Sequence, residues 1–174
     1  VDTNRLYCCR GVILNRFDNR SVIVTGAGSG FGEATAKRFA SEGAKVVVSD
    51  IDEDRARQVA TQIADEGGKA ISVLCDVSVE AEVEHLVQSA HSEYGGVDVM
   101  VNNAGYSHMS KLLWKISVEE FDAVFSVNVR GVFLGCKHVI PIMIEQHGGV
   151  IVNIASVGAV APRAGVTPYN GTKG

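Results

Sequence analysis

The chain has 174 residues, 46% hydrophobic and 21% charged, with a formal net charge of −4. That length and apolar content suit one domain with its own core. The charge balance lacks the clustered Lys/Arg that nucleic acid or an anionic membrane surface requires. No uninterrupted apolar run reaches the ~18 residues of a membrane span, and the opening VDTNRLYCCRGVILNRF has too short an apolar segment for a signal-peptide core. A cytoplasmic protein with neither nucleic acid nor membrane as partner is expected. Cys8, Cys9, Cys75 and Cys136 form no CxxC pair and no zinc-type spacing, so no metal site is expected. Cys75 and Cys136 fall in apolar runs and read as small buried thiols. Residues 1–20 are set apart as an N-terminal extension, and residues 21–174 as the folded domain.

From Ser21 the chain alternates short β-branched runs with longer helical patterns. SVIVTG is a buried strand ending in glycine, and GEATAKRFASEG is a helix closed by Gly43. AKVVVSD is the second strand. DEDRARQVATQIADEGG is a helix with acids in its first turn and Gly67-Gly68 after its last. KAISVLCDV is the third strand, and Ser78 is expected to cap the helix that follows. VDVMVNNAG gives the fourth strand. A long helix then opens on a capping box, Ser117 to Glu120, and Pro141 is expected to kink it. GVIVNIAS is the fifth strand. Apolar runs without polar alternation indicate strands buried on both faces, the parallel pattern. Strands joined by helices then give an open α/β sheet with right-handed crossovers.

TGAGSGFG lies where the first strand meets the first helix. Gly26, Gly28, Gly30 and Gly32 permit a tight turn and close approach of a phosphate, and the helix start supplies free N–H groups and a positive dipole end. Ser29 and Phe31 belong to the same loop. No Lys-Ser/Thr follows the last glycine, which disfavours a P-loop nucleotide hydrolase. Asp50 ends the second strand, twenty positions past Gly30, about where a carboxylate meets an adenine ribose. A carboxylate accepts from the ribose hydroxyls and repels a 2′-phosphate, so NAD is expected over NADP. The competing role for Asp50 is to cap the next helix. Asp76-Val77 and Asn102–Gly105 end the third and fourth strands at the same carboxyl edge, where open α/β sheets bind ligands. Asp76 is placed to accept from the adenine amino group, and Asn103, Ala104 and Gly105 to line the cofactor's ribose side. Tyr106, Ser107 and His108 follow as candidate substrate-facing residues.

Near the end stands TPYNGTKG, in which Tyr169 and Lys173 share one helical face. T-G-x-x-x-G-x-G at Thr25–Gly32, N-N-A-G at 102–105, Ser156, and Y-x-x-x-K thirteen positions after that serine together resemble the short-chain dehydrogenases/reductases. The resemblance runs from about Ser21 to Gly174. It implies a Rossmann-type doubly wound parallel sheet and an NAD(P)-binding domain. The implied activity is an oxidoreductase moving a hydride between NAD(H) and a secondary alcohol or ketone of a small molecule.

It also implies a catalytic group of Asn128, Ser156, Tyr169 and Lys173, with Tyr169 and Lys173 touching the cofactor as well. Tyrosine at its reference pKa of ~10 is too weak a base near neutrality, and Lys173 one turn away supplies the positive charge that favours the phenolate. Ser156 is to donate to the substrate oxygen, and Asn128 to hold a water that links Lys173 to solvent. Members of that family continue past the Y-x-x-x-K helix with further strands and much of the interface of a dimer or tetramer. The fold is therefore expected to be incomplete at its C-terminus, with about five strands and an uncovered edge. A catalytically silent nucleotide-binding fragment or interaction module is the alternative reading.

Overall fold

The computed structural model describes residues 15–174, and Cys8 and Cys9 lie outside that span. Strands β1 (Ser21–Thr25), β2 (Lys45–Asp50), β3 (Lys69–Leu74), β4 (Val99–Asn102) and β5 (Val150–Asn153) form one sheet in the order β3-β2-β1-β4-β5. All four pairings are parallel. Helices α1 (Gly30–Ser41), α2 (Glu53–Asp65) and α3 (Glu80–Tyr94) connect the first four strands. After β4, helix α4 (Val118–Phe125) passes through a π turn at Ser126–Arg130 into α5 (Gly131–Glu145), and α6 (Thr167–Lys173) follows β5.

The middles of the three inner strands, Val22–Val24, Val46–Val48 and Val99–Val101, are apolar without alternation because helices cover both faces of the sheet. Val22, Val24, Val46 and Val48 meet α1 and α2 through Ala36, Ala40, Ala56, Val59 and Ile63. Ile23, Val47 and Met100 point the other way, toward Val83, Leu86, Val87, Leu134 and Val139 of α3 and α5. The two edge strands are less covered: on β3 Leu74 is 48% exposed, and β5 is open along much of its length. Ile151 packs against the second cluster, but Val150 and Val152 are 56% and 39% exposed. The expected uncovered edge is present.

One local expectation is corrected. Ser78 does not cap α3. The N-cap position is Val79, without a side-chain bond, while the Ser78 N–H and hydroxyl both donate to Asp76 Oδ1 at 2.9 and 2.7 Å. The aspartate two residues earlier takes the serine into a turn of its own. Pro141 stands inside α5, which runs on to Glu145, and its missing N–H leaves one backbone bond of that helix unmade. A further departure from regular α-helical bonding comes earlier, at the π turn, a form often found at functional sites.

The Ser117–Glu120 capping box forms in both directions, at 3.2 and 3.0 Å. The whole helix Val118–Glu145 has 28 residues and a best-window mean hydropathy of 1.3, long and apolar enough by length and composition to cross a membrane. Here one side of it packs on the sheet through Leu134, Val139 and Met143.

Part of the segment before β1 is attached to the body. Phe17 packs edge-on against Phe39 with ring centroids 4.7 Å apart, and its N–H donates to the Glu42 carbonyl at 3.0 Å. The Arg16 guanidinium pairs with the Glu42 carboxylate at 2.9 Å.

Candidate active site

The chain winds from β1 outward through β2 to β3, then returns to place β4 on the other side of β1. Beyond the carboxyl ends of β1 and β4 this reversal leaves a crevice, the place where open α/β sheets bind ligands. A cleft of about 920 Å³ opens there. Its floor is the glycine turn, where Gly26 and Gly30 have φ of +61° and +56°. A Cβ on Gly26 would lie 2.9 Å from Ala104 Cα, so the two strand ends meet at backbone distance. Thr25 Oγ1 accepts from the N–H groups of Asn103 and Ala104, both at 3.1 Å. The Asn103 amide donates to the carbonyls of Thr25 and Gly26 at 2.8 and 3.1 Å. The loop is thus built into shape by buried polar bonds.

Asp50 reaches the same cleft from the end of β2. It is not the cap of α2. Asp52 has that task, accepting from the Arg55 N–H at 3.1 Å. The Asp50 carboxylate instead accepts from Gly28 N–H at 2.8 Å and from Asp52 N–H at 3.0 Å. Cys75, Asp76 and Val77 continue the wall, and Phe31 is 86% exposed at its mouth.

The far wall carries Ser156, Tyr169 and Lys173, with Ile154, Arg163 and Asn170. Ser156 accepts from Gly158 N–H at 3.1 Å, opening a turn of 3-10 helix at Val157–Ala159. A Cβ on Gly158 would lie 3.4 Å from Ser156 Oγ and 3.8 Å from Tyr169 Cε1, so the serine and the tyrosine ring flank one small space. Lys173 Nζ donates to the Ile154 carbonyl at 2.8 Å and lies 5.9 Å from the Tyr169 ring centroid.

Asn128 sits behind this wall on the π turn, 3% exposed. Its Oδ1 accepts from Tyr106 N–H at 2.8 Å, and its Nδ2 donates to the Tyr106 carbonyl and to Thr172 Oγ1, each at 2.9 Å. A Cβ on Gly105 would lie 3.6 Å from Asn128 Oδ1 and 3.7 Å from Lys173 Nζ, which brings these two groups to one place.

The family model described as short chain dehydrogenase matches residues 20–174. The chain belongs to the short-chain dehydrogenase family. It is 40% identical over 151 residues to 4-formylbenzenesulfonate dehydrogenase of Comamonas testosteroni, covering 87% of this chain and 60% of that protein. It is similar to the 3-ketoacyl-(acyl-carrier-protein) reductase of Brucella melitensis complexed with NADH. There the identity is 44% and the TM-score 0.85, covering 90% of this chain and 65% of the other. A short-chain dehydrogenase/reductase from Burkholderia phymatum in complex with NAD gives 38% identity and a TM-score of 0.88, covering 90% and 56%. The chain therefore spans less than two thirds of the length of these relatives.

Within this member of the short-chain dehydrogenase family, Gly26, Ser29, Gly30, Phe31, Gly32, Asp50, Asp76, Val77, Asn103, Ala104, Gly105, Ser156, Tyr169 and Lys173 all line one cleft. Gly28 and Asn128 stand behind the lining. Tyr106 and Ser107 border the cleft too, whereas His108 is buried with Nδ1 2.6 Å from the Met109 carbonyl. Sequence reasoning missed Thr172 and the Ile154 carbonyl. Thr172 stands within Y-N-G-T-K, a hydroxyl on the helix already singled out. The carbonyl has no side-chain signal at all.

Proposed function

We propose that this chain carries the cofactor-binding and proton-transfer parts of an NAD-dependent alcohol dehydrogenase or carbonyl reductase acting on a small molecule. The observation that carries the reading is the single cleft shared by the glycine turn, Asp50 and the Ser156–Tyr169–Lys173 group. The cleft fits a dinucleotide. A Cβ on Gly32 would collide with the Gly26 carbonyl, so the turn is bare backbone at the start of α1, suited to a pyrophosphate. Asp50 presents a carboxylate where the adenine ribose would lie, and Asp76 lies beyond it. When bound, the nicotinamide ring supplies the site that takes or gives the hydride.

The chain's own residues handle the proton and the oxygen. Tyr169 exchanges the proton of the substrate hydroxyl through its phenolic oxygen. Lys173 brings a positive charge beside that ring and presents Nζ toward Gly105, on the side expected to face the nicotinamide ribose. Ser156 donates to the substrate oxygen and steadies the charge that develops there. Asn128 supports the arrangement from behind. In this reading the subunits of the whole enzyme associate along the long helix, where Phe133 and Ile144 are 60% and 69% exposed.

A second reading, a nucleotide-binding module without turnover, is favoured by the exposed outer side of β5 directly before Ser156. A titration with NADH, followed by nicotinamide fluorescence, tests what the two readings share. Saturable binding is expected, and its absence would remove the cofactor from the cleft. Alcohol and ketone panels then separate them. Tyr169→Phe is expected to lower turnover by at least about 10²-fold while leaving NADH affinity within about twofold. Binding without turnover in the unmutated chain would favour the module.

A further inference from the structure

Gly28 differs from the other glycines of its turn. It has no positive φ to require glycine, and it does not line the cleft. What it has is Asp50. Its N–H donates to Asp50 Oδ2 at 2.8 Å, and a Cβ built on it would fall 2.9 Å from that same oxygen and 2.8 Å from the Cβ of Arg55. From the other side, Asp52 N–H donates to Oδ1 at 3.0 Å. Each carboxylate oxygen thus has one acceptor site taken by backbone and one remaining. Two backbone groups from different segments fix how the carboxylate faces the cleft.

We propose that Gly28 is a positioning residue for cofactor selection: it holds the Asp50 carboxylate in the orientation that favours a nucleotide with a free ribose 2′-hydroxyl over one with a 2′-phosphate. The proposal rests on the nicotinamide-nucleotide reading of the cleft. A methyl group at position 28 must displace the carboxylate, or the start of α2 through Arg55, because the space is already filled on both sides. The displaced carboxylate loses its bond from Gly28 N–H and its alignment with the ribose. Binding of NADH then loses charge-assisted hydrogen bonds, and binding of NADPH is relieved of part of a repulsion.

The test is a double-mutant cycle read by NADH and NADPH dissociation constants in the wild-type chain, Gly28→Ala, Asp50→Ala and the double variant. NADH affinity is expected to fall about tenfold in Gly28→Ala, the scale of one lost charge-assisted bond, with NADPH affinity unchanged or improved. The double variant should show no smaller NADH preference than Asp50→Ala alone, because Gly28 acts through that carboxylate. An unchanged preference in Gly28→Ala overturns the proposal. So does equal weakening of both cofactors, which would mark a collapsed turn, and so does an additive effect in the double variant. Failure of the cofactor reading shows elsewhere. Absent or indiscriminate binding in the unmutated chain removes that reading and the proposal with it.

Discussion

Cys75 borders the cleft at the end of β3 and yet is only 2% exposed. Burial, reinforced by the nearby Glu82 carboxylate and only partly offset by the neighbouring Ser49 hydroxyl, pushes its thiol up to about 12 from an ordinary 9.0. At pH 8 the thiolate fraction is then about 10⁻⁴, and the thiolate is the reactive form. Iodoacetamide at pH 8, read by peptide mapping, is expected to leave Cys75 unmodified in the native chain and to label it fully in urea. Labelling at equal rates would mean the thiol is neither buried nor raised. The sign for stability follows. The folded value lies above the unfolded one, so the contribution is complete below about pH 9 and fades as pH climbs toward 12. Cys75→Ala should therefore flatten the alkaline limb of the stability profile.

At the scale of elements, the site depends on how the seven-residue α6 is held against the long helix. A helix that short does not sustain itself by its own bonds. The Asn128 amide joins three segments: the loop after β4 at Tyr106, the π turn itself, and α6 through Thr172. Thr172 Oγ1 in turn donates to the Tyr169 carbonyl at 2.8 Å. Thr172→Val keeps the shape and removes the hydroxyl, leaving the Asn128 amide one partner short. It is expected to cost about 1–3 kcal/mol in urea unfolding, with Thr172→Ser recovering most of the loss. No loss in Thr172→Val would mean the contact is incidental.

The spacing of Tyr169 and Lys173 was legible, because an i,i+4 pair needs only helical geometry. The Thr172 bond was not, since its partner lies 44 residues away. The π turn was equally hidden, because SVNVRG continues the helical pattern on either side of it. Ser78 misled for a local reason: the aspartate that took its hydroxyl stands only two residues before it.

For the molecule as a whole, the alternation of apolar strands and helices made the parallel sheet legible, and the two-sided burial of Val22, Ile23 and Val24 bears it out. The position of the crevice followed from the same topology. The outer side of β5 has a consequence that can be measured. β5 ends the sheet, and no strand pairs with its second edge among the described residues. Val150, Val152 and Ile154 are 56%, 39% and 40% exposed there. A β-branched apolar edge is a template for pairing with another chain.

Concentration-dependent association of the chain is therefore expected, visible as light scattering that rises steeply with concentration. Val152→Lys places a charge on that edge and should lower scattering several-fold, while unfolding in urea shifts by no more than about 0.5 kcal/mol, as for other exposed positions. The long helix offers a competing surface through Phe133 and Ile144. If Val152→Lys associates as strongly as the unmutated chain and Phe133→Ser does not, the helix rather than the sheet edge drives association. A loss of scattering in Val152→Lys alone assigns it to β5.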